Sequence, residues 1–207
     1  MNKKIVYPDI FSAAWSGFKS HCWLLMGLLI GFTIIYSLLI LFTIPAKGET
    51  IRISGIIVAV ICFFFFCFFV MGYLKNCLQS LNREEPQFSA YGQASRGLLS
   101  FIPAYLLFVV AVSLGCTLFL LPGIYLFLRF QFFFISMVDE ETGVIDSFKR
   151  SWYITKGHTL QLFVLMLFQK LILIIGLVAF GAGIFAAIPL IILMYAQTYR
   201  NLTAPAM

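Results

Sequence analysis

Two basic residues, Arg129 and Lys170, lie within apolar stretches of the sequence, where a charge is costly unless it has a partner or a role. No Asp or Glu interrupts these stretches, and each basic residue lies roughly 10 Å from one end of its own. Amide side chains lie beside them, Gln131 and Gln169. These residues predict a shared cationic pocket for an anion, such as the phosphate of an anionic phospholipid. The alternative is that both side chains reach separately to the membrane surface or bond to helix carbonyls.

Other chemically active residues are sparse and do not form a recognisable catalytic or metal site. His21 and His158 lie at the edges of apolar stretches, and a metal ion would need more ligands than the adjacent Cys22 supplies. The sequence has no Ser–His–Asp order, no phosphate-binding glycine loop and no paired carboxylates within the apolar stretches. We therefore expect no catalytic residue, no metal, no cofactor and no enzymatic activity. The cysteines are predicted to pack as small apolar residues: Cys22, Cys62, Cys67, Cys77 and Cys116.

The composition is typical of a membrane protein. Hydrophobic residues make up 62% of the chain and charged residues 11%, whereas soluble proteins have roughly 45–50% and about 25%. A soluble fold of this size could not bury so much apolar surface. The net charge of +6 does not indicate nucleic-acid binding, because the basic residues lie in short segments between apolar stretches. The N-terminus is not expected to be a cleaved signal peptide, since the first apolar stretch continues to membrane-spanning length.

The apolar stretches predict an all-α integral membrane protein with six transmembrane helices, because backbone groups in lipid must be bonded within the segment. The chain, residues 1–207, is then one transmembrane domain. A tight turn at Leu121-Pro122-Gly123 separates the third and fourth spans, and Gly181 and Gly183 precede the sixth. The predicted spans are residues 23–44, 53–74, 98–120, 123–138, 159–177 and 184–199.

The basic residues are distributed unequally between the two sides of this arrangement. With six crossings, both termini and two of the loops share one side, which then carries ten basic residues, whereas the other side carries only Lys47 and Arg52. Loops rich in Lys and Arg face the cytoplasm. We therefore expect a bacterial inner membrane protein with both termini in the cytoplasm.

Three similar segments precede the odd-numbered spans and form an internal repeat, beginning at Phe11, Phe88 and Phe148. In the first and third copies the aromatic residues fall on one helical face, which predicts an amphipathic helix in the interface plane before each hairpin. The middle copy should be shorter or irregular, because it contains Gly92 and Gly97. These helices either anchor the hairpins or form a collar that binds lipid or a partner. The predicted interfacial residues are Trp15, Lys19, His21, Trp152, Lys156 and His158.

The stretch from Leu121 to His158 resembles the signature of bacterial membrane proteins related to the membrane domain of glycerophosphoryl diester phosphodiesterase, including the YciC-like (UPF0259) proteins. The resemblance implies a helical membrane domain without a settled function. Phosphodiesterases of this group carry a separate soluble catalytic domain, for which this chain has no room, so that activity is not expected. The shared elements are Pro122-Gly123-Ile124-Tyr125, Arg129, Asp139, Glu140, Glu141, Ser151-Trp152 and Thr155-Lys156-Gly157.

Three functions remain open. The first is a non-enzymatic protein that binds membrane lipids, including anionic phospholipid, or assists envelope homeostasis as a scaffold, with a membrane-protein partner or a second copy. The second is a small transporter or channel with Arg129 and Lys170 in an anion pathway. Few polar residues line the first two spans, which disfavours it. The third, a membrane-embedded lipid enzyme, lacks an evident nucleophile or base.

Overall fold

A computed structural model describes residues 6–43, 53–179 and 181–204, and in these residues the only regular secondary structure is helical. Five stretches are long and apolar enough to cross a membrane: Tyr7–Leu41, Gly55–Leu81, Ser89–Leu118, Leu120–Asp139 and Thr159–Val178. The described residues are thus all-α, with five helical stretches that are long and apolar enough to span a membrane. Its helices are α1 (Tyr7–Leu41), α2 (Ile53–Leu81), α3 (Ser89–Ala94), a 3₁₀ turn (Ser95–Gly97), α4 (Leu98–Leu118), α5 (Leu120–Phe130), α6 (Phe133–Asp139), α7 (Val144–Ile154), α8 (Thr159–Val178) and α9 (Ile184–Thr203).

The first interfacial helix and the first span form one helix, α1, which is interrupted at His21. Pro8 lies in the first turn, where its missing N–H costs nothing. His21 has φ −134° and ψ 27°, outside the helical range. Ser80 of α2 packs against this break, and its hydroxyl donates to the Gly17 carbonyl at 2.8 Å. The break therefore separates the two predicted segments without ending the helix. The predicted span end at Ile44, and the loop residues Lys47 and Arg52, lie outside the described residues.

Two helix pairs turn through close glycine contacts. A Cβ on Gly115 of α4 would lie 2.9 Å from the Cα of Gly123 in α5. A Cβ on Gly176 of α8 would lie 2.8 Å from the carbonyl oxygen of Gly183, just before α9. Small residues allow helix backbones to approach this closely in membrane proteins. The turns after α4 and α8 therefore require glycine, because a side chain would not fit between the two backbones.

Helix α9 lies in the centre of the bundle, against α1, α2 and α8. Its side chains Leu193, Met194 and Tyr199 are buried. The Tyr199 hydroxyl donates to Glu140 Oε1 at 2.6 Å, which places the end of α9 beside the end of α6. The side of the bundle that contains the C-terminus of α9 is named the terminal end. The sixth predicted span, 184–199, is a helix that continues to Thr203, but its polar C-terminal residues keep it out of the group of sufficiently apolar helices.

The fourth predicted span, 123–138, begins earlier and is broken. It starts at Leu120 and consists of α5 and α6, which are separated at Gln131 and Phe132. The second predicted span, 53–74, likewise belongs to a longer helix that reaches Leu81. Neither Gly nor Pro occurs between Lys75 and Leu81, so the helix continues beyond the apolar stretch.

The second and third repeat copies form short helical segments of their own. The middle copy is short and irregular as predicted, since it consists of α3 and the 3₁₀ turn. The third copy, α7, folds back along α6 and α5 after a short connection. Arg150 pairs with Glu140, Phe148 stacks on Phe133, and the Trp152 ring reaches Tyr125. These contacts place α7 against α5 and α6, and its orientation relative to the membrane plane stays a prediction.

Candidate functional site

Arg129 lies at the end of α5 and is buried, with 3% of its surface exposed. Its neighbours two positions away, Phe127 and Gln131, face a cavity in the centre of the bundle. A separation of two residues rotates a side chain by roughly 200° around a helix, so Arg129 points away from that cavity and toward α7. The side chain is therefore enclosed between α5 and α7.

The guanidinium of Arg129 is held by an aromatic face and a hydroxyl. Its Cζ lies 4.0 Å from the centroid of the Trp152 ring and 5.8 Å from that of Tyr125. Its Nη1 donates to Thr155 Oγ1 at 3.2 Å. An aromatic face attracts a cation, and the attraction grows when both groups are removed from water. These contacts explain how a charge is tolerated at this depth.

The backbone beside Arg129 is satisfied by the same segment of chain. The Ser151 hydroxyl donates to the Arg129 carbonyl at 2.8 Å and accepts from the Phe132 N–H at 3.2 Å. These backbone groups lie where α5 ends and α6 has not begun, so they would otherwise lack helical partners. Ser151 thus closes the break in the fourth span, and Thr155, four residues later, holds the guanidinium.

The charge of Arg129 has no carboxylate partner among the residues that the structure describes. In those residues, ion pairs join Lys149 to Asp146 and Arg150 to Glu140. The Nε atom of Arg129 is buried without a hydrogen-bond partner. Among its described contacts, the positive charge is therefore balanced by ring faces and neutral oxygens.

The other predicted pocket residues lie in different environments. Lys170 is exposed on α8. Gln169 is 2% exposed, and both its amide atoms are buried without a partner. The Nε2 of Gln131 donates to the Leu128 carbonyl at 3.0 Å. The described contacts of Arg129 lead to α7 and Thr155 and not to Lys170, so one pocket shared by both cations stays a prediction.

An apolar cavity of about 330 Å³ lies in the centre of the bundle. Its walls come from α1, α2, α4, α5, α6 and α9, and aromatic and aliphatic side chains form nearly all of them. Polar groups are confined to the Gln131 amide and the hydroxyls of Tyr73 and Tyr195, and the Tyr73 hydroxyl is already used by the Leu25 carbonyl at 3.1 Å. The volume lies at the lower end of the range of small-molecule pockets, roughly 300–1,000 Å³.

Residues 53–207 match a family described as a domain of unknown function, DUF7847. The chain belongs to this family. No curated protein and no solved structure matches it.

The DUF7847 region contains α2 to α9, and thus the whole Arg129 site and most of the cavity wall. Only the wall residues of α1 lie outside it. The family description names no function, so the resemblance to YciC-like proteins stays a prediction.

The predicted interfacial histidines occupy equivalent positions in the repeat and have similar backbone angles. His158, just before α8, has φ −113° and ψ 9°, close to the angles of His21. Each ring Nδ1 is hydrogen-bonded to a polar side chain, His21 to Ser80 Oγ at 3.1 Å and His158 to Gln161 Oε1 at 3.0 Å. Both histidines therefore mark the junction between a repeat helix and the following span.

The remaining interfacial residues are exposed to different degrees. Trp15 and Trp152 are 40% and 39% exposed, and the Lys19 ammonium lies 5.4 Å from the Trp15 ring centroid. Lys156 is exposed. The described residues contain no group of three or more His, Cys, Asp or Glu that could hold a metal ion.

Sequence reasoning named Ser151 and Thr155 only as elements of the family resemblance and did not predict their contacts with Arg129 and Phe132. Ser151 and Thr155 are four residues apart and so lie on one helical face, a spacing that could have indicated a polar contact with a neighbouring helix. The contact of Glu140 with Tyr199 gave no signal, because it joins parts of the chain that are 59 residues apart. Hydrogen bonding to Tyr199 raises the pKa of Arg150 above its ordinary value, so the guanidinium stays charged.

Proposed function

We propose that this protein is a non-enzymatic membrane protein that binds a lipid and holds an apolar chain of it in the central cavity. The observation that carries the proposal is the cavity of about 330 Å³ with almost entirely apolar walls. In a bilayer, the abundant ligands with an apolar body are lipids. A hydrocarbon chain in this cavity would replace a poorly packed space with dispersion contacts.

The polar groups of the wall suit such a ligand. Gln131 offers an amide oxygen at a point where the surrounding wall is hydrocarbon, since its Nε2 is used by the Leu128 carbonyl. One or two polar groups in an apolar pocket orient a ligand without requiring that it be charged. The cavity therefore fits a chain with few polar atoms better than a free anion.

A small transporter or channel has less support. An ion pathway needs polar or charged walls, whereas the walls here are apolar, and Arg129 faces α7 and not the cavity.

The proposal includes a cellular setting. Six spans in a bacterial inner membrane, with both termini in the cytoplasm, would place the terminal end at the cytoplasmic surface. A lipid-binding protein without catalytic groups would serve envelope homeostasis or act as a scaffold, alone, as a homo-oligomer or with a membrane partner.

The test is native mass spectrometry of the protein after gentle detergent extraction. The wild type should retain a lipid. Val70→Phe and Ile188→Phe enlarge side chains of two different helices that line the cavity, and each should reduce lipid retention at least severalfold because the cavity volume is filled.

The matched control is Val60→Phe, which makes the same change at a half-exposed position of α2 outside the cavity. It should retain the lipid of the wild type. Thermal unfolding identifies variants that are folded before retention is compared. Equal retention by the wild type and by a folded cavity variant would refute the proposal, as would a wild type without bound lipid.

A further inference from the structure

A second cavity, of about 230 Å³, lies near the terminal end and differs from the central cavity in its polarity. Its walls come from α2, from the junction of α3, the 3₁₀ turn and α4, and from the connection between α6 and α7. The polar side chains that line it are Lys75, Gln93, Arg96, Ser100, Glu141 and Thr142.

The charges in this cavity are unequal. Lys75 and Arg96 are cationic, and Glu141 is the one carboxylate among the lining residues, so the cavity has a net formal charge of +1, from two positive charges and one negative. In the described part of the chain, neither Lys75 nor Arg96 forms an ion pair. Lys75 is partly buried, where the surroundings screen its charge less than bulk water does.

The start of α7 adds backbone N–H donors, and Asp146 in its first turn offsets part of the positive potential there. Gly143, which lines the cavity, is the N-cap of α7 and has no side chain that could bond to the first N–H groups of the helix. These groups lack acceptors within the helix, and the helix dipole places partial positive charge there. Lys75, Arg96 and the start of α7 thus line one cavity from three separate segments of the chain.

The position of the cavity matches the depth of a lipid headgroup. Met71 and Lys75 lie where the apolar part of α2 gives way to polar residues. Gly97 precedes α4 at the same level, and a Cβ on it would lie 3.1 Å from the Met71 methyl group. Both spans therefore leave the apolar region at the cavity, as expected for a site at the boundary between hydrocarbon and water.

We propose that this cavity is a phosphate-binding site, with Lys75, Arg96 and the first turn of α7 as its donors. Phosphate is the shared chemistry of a phospholipid headgroup and of a soluble phosphate. The site is separate from the central cavity, and none of its lining residues is shared with that cavity. Arg favours phosphate because its planar donors match two oxygens, and Lys adds a point charge.

The experiment uses the full chain in nanodiscs. One arm titrates inorganic phosphate into protein in phosphatidylcholine discs and follows the melting temperature. The other arm compares phosphatidylcholine discs with discs that contain phosphatidylglycerol, and native mass spectrometry counts the retained lipids. Binding only in the second arm identifies the headgroup as the ligand, and binding in the first arm identifies soluble phosphate.

Three variants test the assignment of donors. Lys75→Gln and Arg96→Gln should each weaken phosphate or phosphatidylglycerol binding about tenfold, since each removes a charged donor. Glu141→Gln should strengthen binding, because it removes the repelling carboxylate. Lys149→Gln is the control, since it removes an exposed cation of α7 that pairs with Asp146 outside the cavity.

The opposite changes for Glu141 and the two cations distinguish a site from general surface charge. If Lys149→Gln weakens binding as much as Lys75→Gln, the attraction is a property of the whole surface and the proposal fails. It also fails if neither arm detects binding, or if Glu141→Gln weakens it. The variants Val70→Phe and Ile188→Phe should leave this site intact, so the two proposals can fail independently.

Discussion

The guanidinium of Arg129 lies over the indole of Trp152, with Cζ 4.0 Å from the ring centroid. This contact joins the last turn of α5 to α7, which follows only after α6 and a connecting loop. It accounts for a buried cation that has no carboxylate partner among the described residues, because the ring face takes the role of a counter-charge. The pair therefore stabilises the fold of α5 to α7 whether or not an anion binds.

A double-mutant cycle should detect this contact. Arg129→Gln and Trp152→Leu should each lower the free energy of unfolding in detergent micelles. The double variant should lose about 1–2 kcal/mol less than the sum, since either change alone removes the interaction. Trp152→Tyr, which keeps a ring, should lose less than Trp152→Leu. For comparison, Trp23→Leu removes an indole that is 85% exposed and should be additive with Arg129→Gln. Additivity at Trp152 would contradict the proposed coupling.

The sequence predicted Arg129 as a special residue but could not predict its partners. A lone charge in an apolar stretch is visible without a structure. The aromatic face of α7 was expected to contact lipid headgroups. Amphipathicity shows that a helix has an apolar face, but it does not show what that face contacts. The break at Gln131 and Phe132 was also missed, since neither Gly nor Pro marks it. It depends on Ser151, which comes from a later helix.

The positions of the long helices were easier to predict, because uninterrupted apolar stretches leave the backbone little choice but helix. Helix ends that lie beyond an apolar stretch were harder to predict, as the continuation of α2 to Leu81 shows. Charge marks the membrane boundary, whereas a helix ends only where packing or a breaking residue ends it.

The close turn between α4 and α5 should not tolerate an added methyl group. A Cβ on Gly123 would lie 2.7 Å from the backbone nitrogen of Cys116, which cannot move away easily. Gly123→Ala should therefore destabilise the protein by about 1–3 kcal/mol, measured by thermal or denaturant unfolding in micelles. Gly27→Ala is the matched control, since a Cβ there meets no atom within 4 Å. It should be neutral or slightly stabilising, because Ala favours a helix. Equal effects of the two substitutions would show that the contact does not limit stability.

The hydrogen bond from Tyr199 to Glu140 should stabilise the terminal end. At 2.6 Å it is short, and its acceptor also takes a bond from Arg150 Nη2 at 3.1 Å. Tyr199→Phe should cost about 1.5–3 kcal/mol, the range for hydrogen bonds to charged groups, because it leaves part of the carboxylate without a donor. Tyr153→Phe provides the control, since Tyr153 is 76% exposed. The difference between the two losses measures the bond, and no difference would mean that it does not form.

The last prediction concerns the side of the membrane on which each end of α9 lies. Reporter proteins fused after Ala179, before α9, and after Met207, at its far end, should report opposite sides. Alkaline phosphatase should be active only in the first fusion and a fluorescent protein only in the second, because the basic residues of the terminal end favour the cytoplasm. Arg200 lies in the last turn of α9 and adds to this preference. The polar C-terminal part of α9 would make a crossing less favourable than that of the five more apolar helices, and packing against α1 and α2 would offset this cost. If both fusions report the same side, α9 does not cross the membrane and six spans are excluded. If the fusion after Ala179 reports the cytoplasm and the fusion after Met207 reports the opposite side, α9 crosses the membrane but the predicted orientation is wrong.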